Sequence, residues 1–195
     1  MIIKKTAYSL LNFVIKRLAE IFGIIIFATG ISLLISLISY SPEDPNFIFP
    51  NNTKINNLLG FHGAFISDLF LQSIGLISYL ISFTLIITGL NIFRDKEFFL
   101  IINNIFFSII YIVFGSLFLN HFYSNGYLLH INGNGGFVGN YLDETFLNSI
   151  IQINEIIFYY FIIFLIIIFF LISINFNVKS FYNFILKILA LFLNK

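Results

Sequence analysis

Four long apolar runs alternate with short polar segments along the chain. A bilayer core about 30 Å thick is crossed by about 20 helical residues that rise 1.5 Å each. The runs therefore predict transmembrane helices at about 21–40, 63–93, 98–119 and 150–174, joined at one side by loops 41–62 and 120–149. The predicted fold class is an all-α membrane protein with four transmembrane helices.

The segment before the first run has apolar residues at helical spacing beside basic side chains. Positions i, i+4, i+7, i+8 and i+11 are apolar, namely Ala7, Leu11, Val14, Ile15 and Leu18. Lys4, Lys5, Lys16 and Arg17 can reach anionic headgroups, so residues 1–20 are predicted to form a cytoplasmic interfacial amphipathic helix. Residues 175–195 repeat the pattern less regularly and are predicted to be a cytoplasmic tail or the start of a linker.

The orientation follows from the placement of Lys and Arg. Of the 10 Lys and Arg residues, all but Lys54 lie before the first run, between the second and third, or after the fourth. Short loops rich in these residues stay in the cytoplasm. We therefore expect both termini to be cytoplasmic. The first apolar run is too long for a signal peptide and lacks a small-x-small site before Tyr40, so it should remain as an anchor.

Composition narrows the possible functions. The chain is 59% hydrophobic and 10% charged, with a net charge of +1, which gives no basic surface for nucleic acid. The absence of Cys excludes disulfides, thiolate metal sites and cysteine nucleophiles. His62, His121 and His130 fall at or beyond the outer membrane edge, which argues against a haem held inside the bundle. We identify no catalytic, cofactor-binding or metal-binding residue, and an electron-transfer anchor is the weakest alternative.

Two acidic residues stand near the outer ends of predicted spans. Asp68 lies about one turn inside the second run, and a carboxylate there is expensive enough to suggest a purpose. Glu155 holds a comparable outer position on the fourth run, where Asn148, Gln152 and Glu155 fall on one face at i, i+4 and i+7 and suggest a polar cluster. Bonding to the polar outer turn, contact with a partner, and ion or proton transfer are all open for Asp68. The last would suit a small transporter or channel subunit, although residues 161–171 contain no polar side chain.

Small residues recur on the predicted spans. They are Gly23 and Gly30 on the first, Gly75, Ser78, Ser82 and Gly89 on the second, and Gly115 on the third. Such faces let helix backbones approach closely. Packing within one chain and packing between copies both remain open. The later Gly133–Gly139 segment lacks the Gly-Lys-Ser/Thr ending of a phosphate-binding loop, so nucleotide binding there is not expected.

Three ordered motifs in the loops and the second run carry a family resemblance. The first contains Ser41, Pro42, Asp44 and Pro45; the second contains Gly60, Gly63, Ala64, Asp68 and Gly75; the third contains Gly135, Gly136 and Gly139. In this order they resemble the N-terminal four-helix membrane (4TM) domain of the FtsK/SpoIIIE family of DNA translocases. The resemblance extends from the basic N-terminus through the fourth run.

The resemblance implies a role in bacterial cell division and chromosome partition. A member would sit in the inner membrane, dock at the septum, and contact other division proteins and further copies of itself. The family's ATPase motor needs a Gly-x-x-x-x-Gly-Lys-Ser/Thr motif, which this sequence lacks, and there is no winged-helix segment to read DNA. We therefore expect a non-enzymatic anchoring and assembly module without direct nucleic acid binding. It would be either encoded apart from a motor or truncated.

Overall fold

The computed structural model describes residues 2–45, 54–124, 129, 131–179, 182–183 and 186. In this part of the chain all regular elements are helices. They are α1 (Ile2–Ile38), α2 (Gly60–Ile74), a short 3-10 turn (Gly75–Ile77), α3 (Ser78–Asp95), α4 (Leu100–Tyr123), α5 (Gly136–Asp143), α6 (Phe146–Ile153) and α7 (Glu155–Ser173). The predicted all-α class is confirmed.

Four helical segments are long and apolar enough to cross a membrane. They are Leu10–Ile38, Gly60–Asp95, Leu100–Tyr123 and Glu155–Ser173. The predicted number of transmembrane helices is therefore confirmed. Four crossings return the chain to the side on which it began, while the side itself stays a prediction. We call the end where α1 stops the capped end, and the opposite end, which holds Glu20 and Lys96, the basic end.

The first helix is longer than the sequence predicted. It runs for 37 residues without interruption, about 55 Å at 1.5 Å per residue. No Gly or Pro precedes Gly23, so nothing breaks the helix at residue 20, where a separate segment was expected to end. Residues 10–18 are all exposed, Leu10, Leu11, Phe13 and Val14 among them, so none of them packs into the core of the described chain. An interfacial position for residues 1–20 stays a prediction, but they continue α1.

Helices α1 and α3 are in backbone contact. A Cβ added at Gly89 would lie 2.5 Å from the Phe27 nitrogen, and one at Gly23 would lie 2.7 Å from the Phe93 nitrogen. At Gly30 it would lie 2.7 Å from the Ile86 nitrogen. These glycines therefore serve packing within the chain, the first of the two alternatives. At the basic end, Lys96 Nζ lies 2.7 Å from Glu20 Oε1 and joins the same two helices.

The second run is not one straight helix. The backbone breaks at Gly75, which has φ +70° and ψ −153°. Gly63 and Tyr79 are sixteen residues apart, about 24 Å along a straight helix. Yet Ser36 Oγ donates to the Gly63 carbonyl while Tyr79 Oη donates to the Leu37 carbonyl, and Ser36 and Leu37 are neighbours. Helix α2 therefore lies across the last turns of α1, whereas α3 continues through the bundle.

The fourth span begins later than the predicted residue 150. Asn154, with φ −156° and ψ 85°, separates α6 from α7, and its Oδ1 accepts a hydrogen bond from Ile157 N at 3.2 Å. This side-chain N-cap explains why the helix restarts there. The shared face expected for Gln152 and Glu155 was therefore wrong, because no continuous helix joins them. The side chain of Asn148 lies outside the described residues.

Aromatic rings of α4 and α7 pack against each other, and hydrogen bonds between polar side chains connect the helices in the middle of the bundle. Phe114 and Phe169 stack with centroids 6.4 Å apart, and Tyr111 meets Phe170 edge to face at 5.8 Å. The Tyr111 hydroxyl also hydrogen-bonds Thr84 at 3.0 Å. Toward the basic end, buried Asn104 donates to Thr88 at 2.7 Å and accepts from Asn175 at 2.8 Å. In lipid such paired groups hold helices together.

The close contact between α1 and α3 predicts that Gly89 cannot take a side chain without loss of stability. We expect Gly89→Ala to lower the free energy of unfolding by roughly 1–3 kcal/mol, because its Cβ would push the two backbones apart. Thermal unfolding of the purified chain in detergent measures this. Leu90→Ala is the matched control, since Leu90 is the next residue and is 48% exposed. Equal losses for the two variants would contradict the close approach.

Candidate functional site

The family-motif residues gather at the capped end, in two clusters. The first cluster is centred on Asn57, which is 5% exposed. Its Nδ2 donates to the carbonyls of Ser36 at 2.9 Å and Ser39 at 3.3 Å, the orphan acceptors in the last turn of α1. Its Oδ1 accepts from Leu59 N at 3.0 Å. One amide therefore ends α1 and shapes the turn that starts α2.

Asp44 holds Asn57 in place. Asp44 is 3% exposed, and its two carboxylate oxygens accept from the backbone nitrogens of Asn56 at 2.7 Å and Asn57 at 2.9 Å. Its own nitrogen donates to the Ser41 carbonyl at 3.2 Å, which closes the predicted turn after α1. Ser41, Pro42 and Pro45 belong to this turn, and Pro45 is fully buried. The two hydrogen bonds from backbone N–H groups therefore join the turn after α1 to the segment that precedes α2.

The small residues of α2 form the floor of this cluster. A Cβ added at Gly63 would lie 2.1 Å from Asn57 Oδ1. Ser67 Oγ donates to the Gly63 carbonyl at 2.8 Å, and Ala64 is 2% exposed. Larger side chains at these places would displace the Asn57 amide from the end of α1. Gly60 starts the helix with φ +64° and has open space where a Cβ would be.

Asp68 contacts the end of α1. The Tyr40 hydroxyl donates to Asp68 Oδ1 at 3.1 Å, and Gln72 Nε2 lies 3.5 Å from the same hydroxyl. Burial, followed by the charge of Asp68, raises the pKa of Tyr40 to about 12. Tyr40 therefore stays a neutral donor at physiological pH. Glu155, by contrast, is exposed at the start of α7.

The second cluster joins the break in the second run to the glycine-rich loop. Leu76 N donates to the Asn134 carbonyl at 2.9 Å, and a Cβ at Gly75 would lie 1.9 Å from that oxygen. Gly136 has φ +66°, and its Cβ would lie 2.4 Å from Gly75 N. Two glycines in a conformation that L side chains rarely adopt therefore interlock two distant loops.

The same loop seats α5 against α4. Cβ atoms at Gly135 and Gly139 would each lie 2.4 Å from the Ser116 carbonyl, so α5 presents a glycine face to α4. Ser116 Oγ donates to the Ile74 carbonyl at 2.9 Å, where α2 ends. The Gly133–Gly139 segment thus makes close backbone contacts, which is a structural role for glycines that resemble a phosphate cradle only in composition.

A carboxylate and an imidazole tie the other end of α5 to α4. His121 Nδ1 lies 2.8 Å from Asp143 Oδ1, and Asn120 Nδ2 donates to Asp143 Oδ2 at 3.3 Å. Within the described ranges, no group of three His, Asp or Glu side chains is close enough to hold a metal ion. His62 lies on α2, away from this pair along the chain, and His130 lies outside the described residues.

The motifs include the glycines of these clusters, but the asparagines that connect their segments by hydrogen bonds were not predicted. Asn57, Asn132 and Asn134 were not singled out, although each connects two segments. Asn132 Nδ2 donates to the Gln72 carbonyl at 3.1 Å and thereby links the second cluster to the Tyr40 and Asp68 pair. For Asn132 and Asn134, Asn beside Gly in a loop is the available signal, because Asn bonds nearby backbone groups readily. Its long-range partners cannot be read from spacing.

The interlocked glycines predict a graded response to one substitution. Gly60 and Gly136 have similar φ values of +64° and +66°, so alanine is strained at both, and Gly75, with φ +70° and ψ −153°, lies in a region almost confined to glycine. At Gly75 and Gly136 the Cβ also meets backbone atoms, whereas at Gly60 it meets nothing within 4 Å. We expect Gly75→Ala and Gly136→Ala to lower the melting temperature more than Gly60→Ala. Three equal shifts would argue against the interlock.

The chain is similar to a known protein family and to curated proteins. A family model described as the 4TM region of DNA translocase FtsK/SpoIIIE matches residues 15–186. The DNA translocase FtsK of Azospirillum brasilense is 32% identical over 87 residues, which are 44% of this chain and 14% of that protein. The DNA translocase FtsK of Rickettsia bellii is 35% identical over 81 residues, 42% of this chain and 10% of that protein.

The chain therefore corresponds to a small part of these relatives. The aligned segments span at most 14% of the length of either relative. No solved structure matches the chain. The family match nevertheless covers most of the first span, all of the other three and all three motifs, including the two clusters at the capped end. This chain is a multi-pass helical protein of the bacterial inner membrane. It belongs to the family described as the 4TM region of DNA translocase FtsK/SpoIIIE.

Proposed function

We propose that this chain is the membrane-anchoring and assembly domain of an FtsK-like system and acts at the division septum. The observation that carries the proposal is the family match over residues 15–186, within which the motif residues build the capped end. Four spans supply stable insertion. The curated relatives are named DNA translocases. The function of this domain would then be to hold a translocase at the membrane during division and chromosome partition.

The contribution of this domain is positional and not catalytic. Its motif residues either bond to backbone groups, as the Asp44 carboxylate does, or are glycines that let backbone segments touch, as Gly136 does. The segments of the relatives that align are confined to the four-helix region. Translocation of DNA would thus depend on an ATPase motor supplied by the wider system. Contacts with other division proteins and with further copies of the chain belong to the same proposal.

In this proposal the basic end faces the cytoplasm. Arg94 and Lys96 lie at the turn between α3 and α4, and Arg17 lies one turn from Glu20 on α1. Anionic lipids and the positive-inside rule favour such a cluster on the cytoplasmic side. The capped end would then face outward, where it is available to partners outside the cytoplasm.

A labelling experiment tests this orientation. The chain has no Cys, so Glu97→Cys and Lys54→Cys each introduce a unique thiol, and both positions are exposed. A membrane-impermeant maleimide added to intact spheroplasts should label Lys54→Cys and spare Glu97→Cys. Lysed spheroplasts provide the control, because both thiols should then react. Labelling of Glu97→Cys alone in intact cells would reverse the topology.

Septal placement is tested by imaging. A fluorescent fusion to the full chain should be enriched at midcell in constricting cells of the source bacterium or of a related one. A closing septum contains two adjacent membranes, so the signal must be divided by that of a membrane dye. The control is an unrelated four-span protein at matched expression. A dye-normalised ratio equal to that control would remove the division role and leave the anchor fold intact.

A further inference from the structure

An open groove of about 410 Å³ lies between α2 and the two helices that it crosses. Its walls include Thr29, Ser32 and Leu33 of α1, and His62, Ile66 and Phe70 of α2. Leu85 of α3 closes its base. The groove exists because α2 turns away at Gly75 and leaves a space beneath it.

Two hydroxyl groups in the wall, those of Thr29 and Ser36, are engaged within the protein. Thr29 Oγ1 donates to the Ile25 carbonyl at 2.9 Å within its own helix. Ser36 Oγ donates to the Gly63 carbonyl, so its hydroxyl is also engaged. The remaining wall is dominated by the aliphatic and aromatic carbons of Leu33, Ile66 and Phe70. Water gains few partners in such a space.

The groove is continuous with the surface that contacts lipid. Thr29, Ser32 and Ser36 belong to the membrane-spanning segment Leu10–Ile38. Ser32 is exposed, and the neighbouring Ile31 is 36% exposed on the same stretch of α1. On the opposite wall Ile66 is 40% exposed. An occupant can therefore enter sideways from the bilayer without crossing a polar barrier.

We propose that this groove binds one acyl chain of a phospholipid from the leaflet at the capped end, with the headgroup beside His62. An apolar cavity of about 150 Å³ already binds small hydrocarbons, and this groove is more than twice as large. Transfer from lipid to the groove gains little from the hydrophobic effect. The gain comes from dispersion contacts between the acyl chain and the walls of the groove.

His62 gives the site a polar end. It lines the groove and is exposed, one turn before Ile66 on α2. An imidazole N–H can donate to a phosphate or ester oxygen of the headgroup. The chain of the lipid then lies along Ile66 and Phe70, while the head stays at the level of the capped end. This arrangement would hold α2 against the bundle from the membrane side.

Filling the groove tests the proposal. The full chain is extracted with its lipids by a copolymer that needs no detergent, and bound phospholipid is counted after mild delipidation by native mass spectrometry. Ser32→Phe places a ring in the groove and should retain one phospholipid fewer than the parent. Ile31→Phe, on the neighbouring residue, is the matched control and should retain the parental number. Equal numbers in both variants would overturn the site.

The shift in melting temperature on adding phospholipid is a second, independent measure of binding. Phospholipid added to delipidated protein should raise the melting temperature of the parent and of Ile31→Phe, with no shift for Ser32→Phe. Ser32→Leu replaces Ser32→Phe if the latter shows no cooperative transition. His62→Leu should raise the half-saturating phospholipid concentration about fivefold, which corresponds to the loss of one hydrogen bond of about 1 kcal/mol. An unchanged titration would overturn the headgroup position, and equal shifts in all variants would overturn the acyl site.

Discussion

Every backbone N–H and C=O inside a bilayer needs a partner within the protein, because lipid offers none. That constraint is sharpest at Gly75, where the second span breaks inside an apolar run. The break frees backbone groups, and two of them are met from distant segments. Leu76 N finds the Asn134 carbonyl and the Ile74 carbonyl accepts from Ser116 Oγ. The glycines at the break and in the glycine-rich loop allow the two backbones to approach closely enough for the bond to Leu76 N.

The same requirement explains where the polar side chains of this apolar chain are placed. Asn57 serves the carbonyls at the end of α1, Asn154 serves the start of α7, and Asn91 Nδ2 donates to the Ile174 carbonyl where α7 ends. In the described part of the chain, no buried side-chain nitrogen or oxygen lacks a hydrogen-bond partner. Asparagine suits these places because it carries both a donor and an acceptor on a short side chain.

The sequence predicted the spans because hydropathy over twenty residues depends only on local composition. It did not predict the turn at Gly75, because a single glycine is common inside transmembrane helices and periodicity does not register a change of direction. The start of α7 was readable in principle. Asn154 followed by Glu155 is an N-cap signal with an acidic first turn, but the apolar residues on both sides favoured one longer helix. The continuity of α1 was readable too, from the absence of Gly and Pro before Gly23.

The motif positions were found as a pattern, whereas their partners depend on the fold. Gly63 and Asn57 are close enough in sequence to suggest a turn, yet their contact with Ser36 requires α2 to lie across α1. Gly75 and Gly136 are separated by sixty-one residues, and their interlock follows only when α5 is seated on α4. Residues that touch through backbone leave no hydropathy signal, so the junction between the two clusters was not predictable from spacing.

Use of the glycine faces inside the chain limits how copies can associate. Gly23, Gly30 and Gly89 are covered by α1 and α3, and Gly115 meets Ile77 of the same chain. The exposed surfaces of α4 and α7 present Phe106, Phe164 and Ile167, which are as apolar as the lipid tails they face. Contact between such surfaces replaces lipid with protein of similar polarity and gains little. Assembly of this domain should therefore be driven by its two ends, where polar backbone turns and charged side chains are available, and not by the middle of its spans.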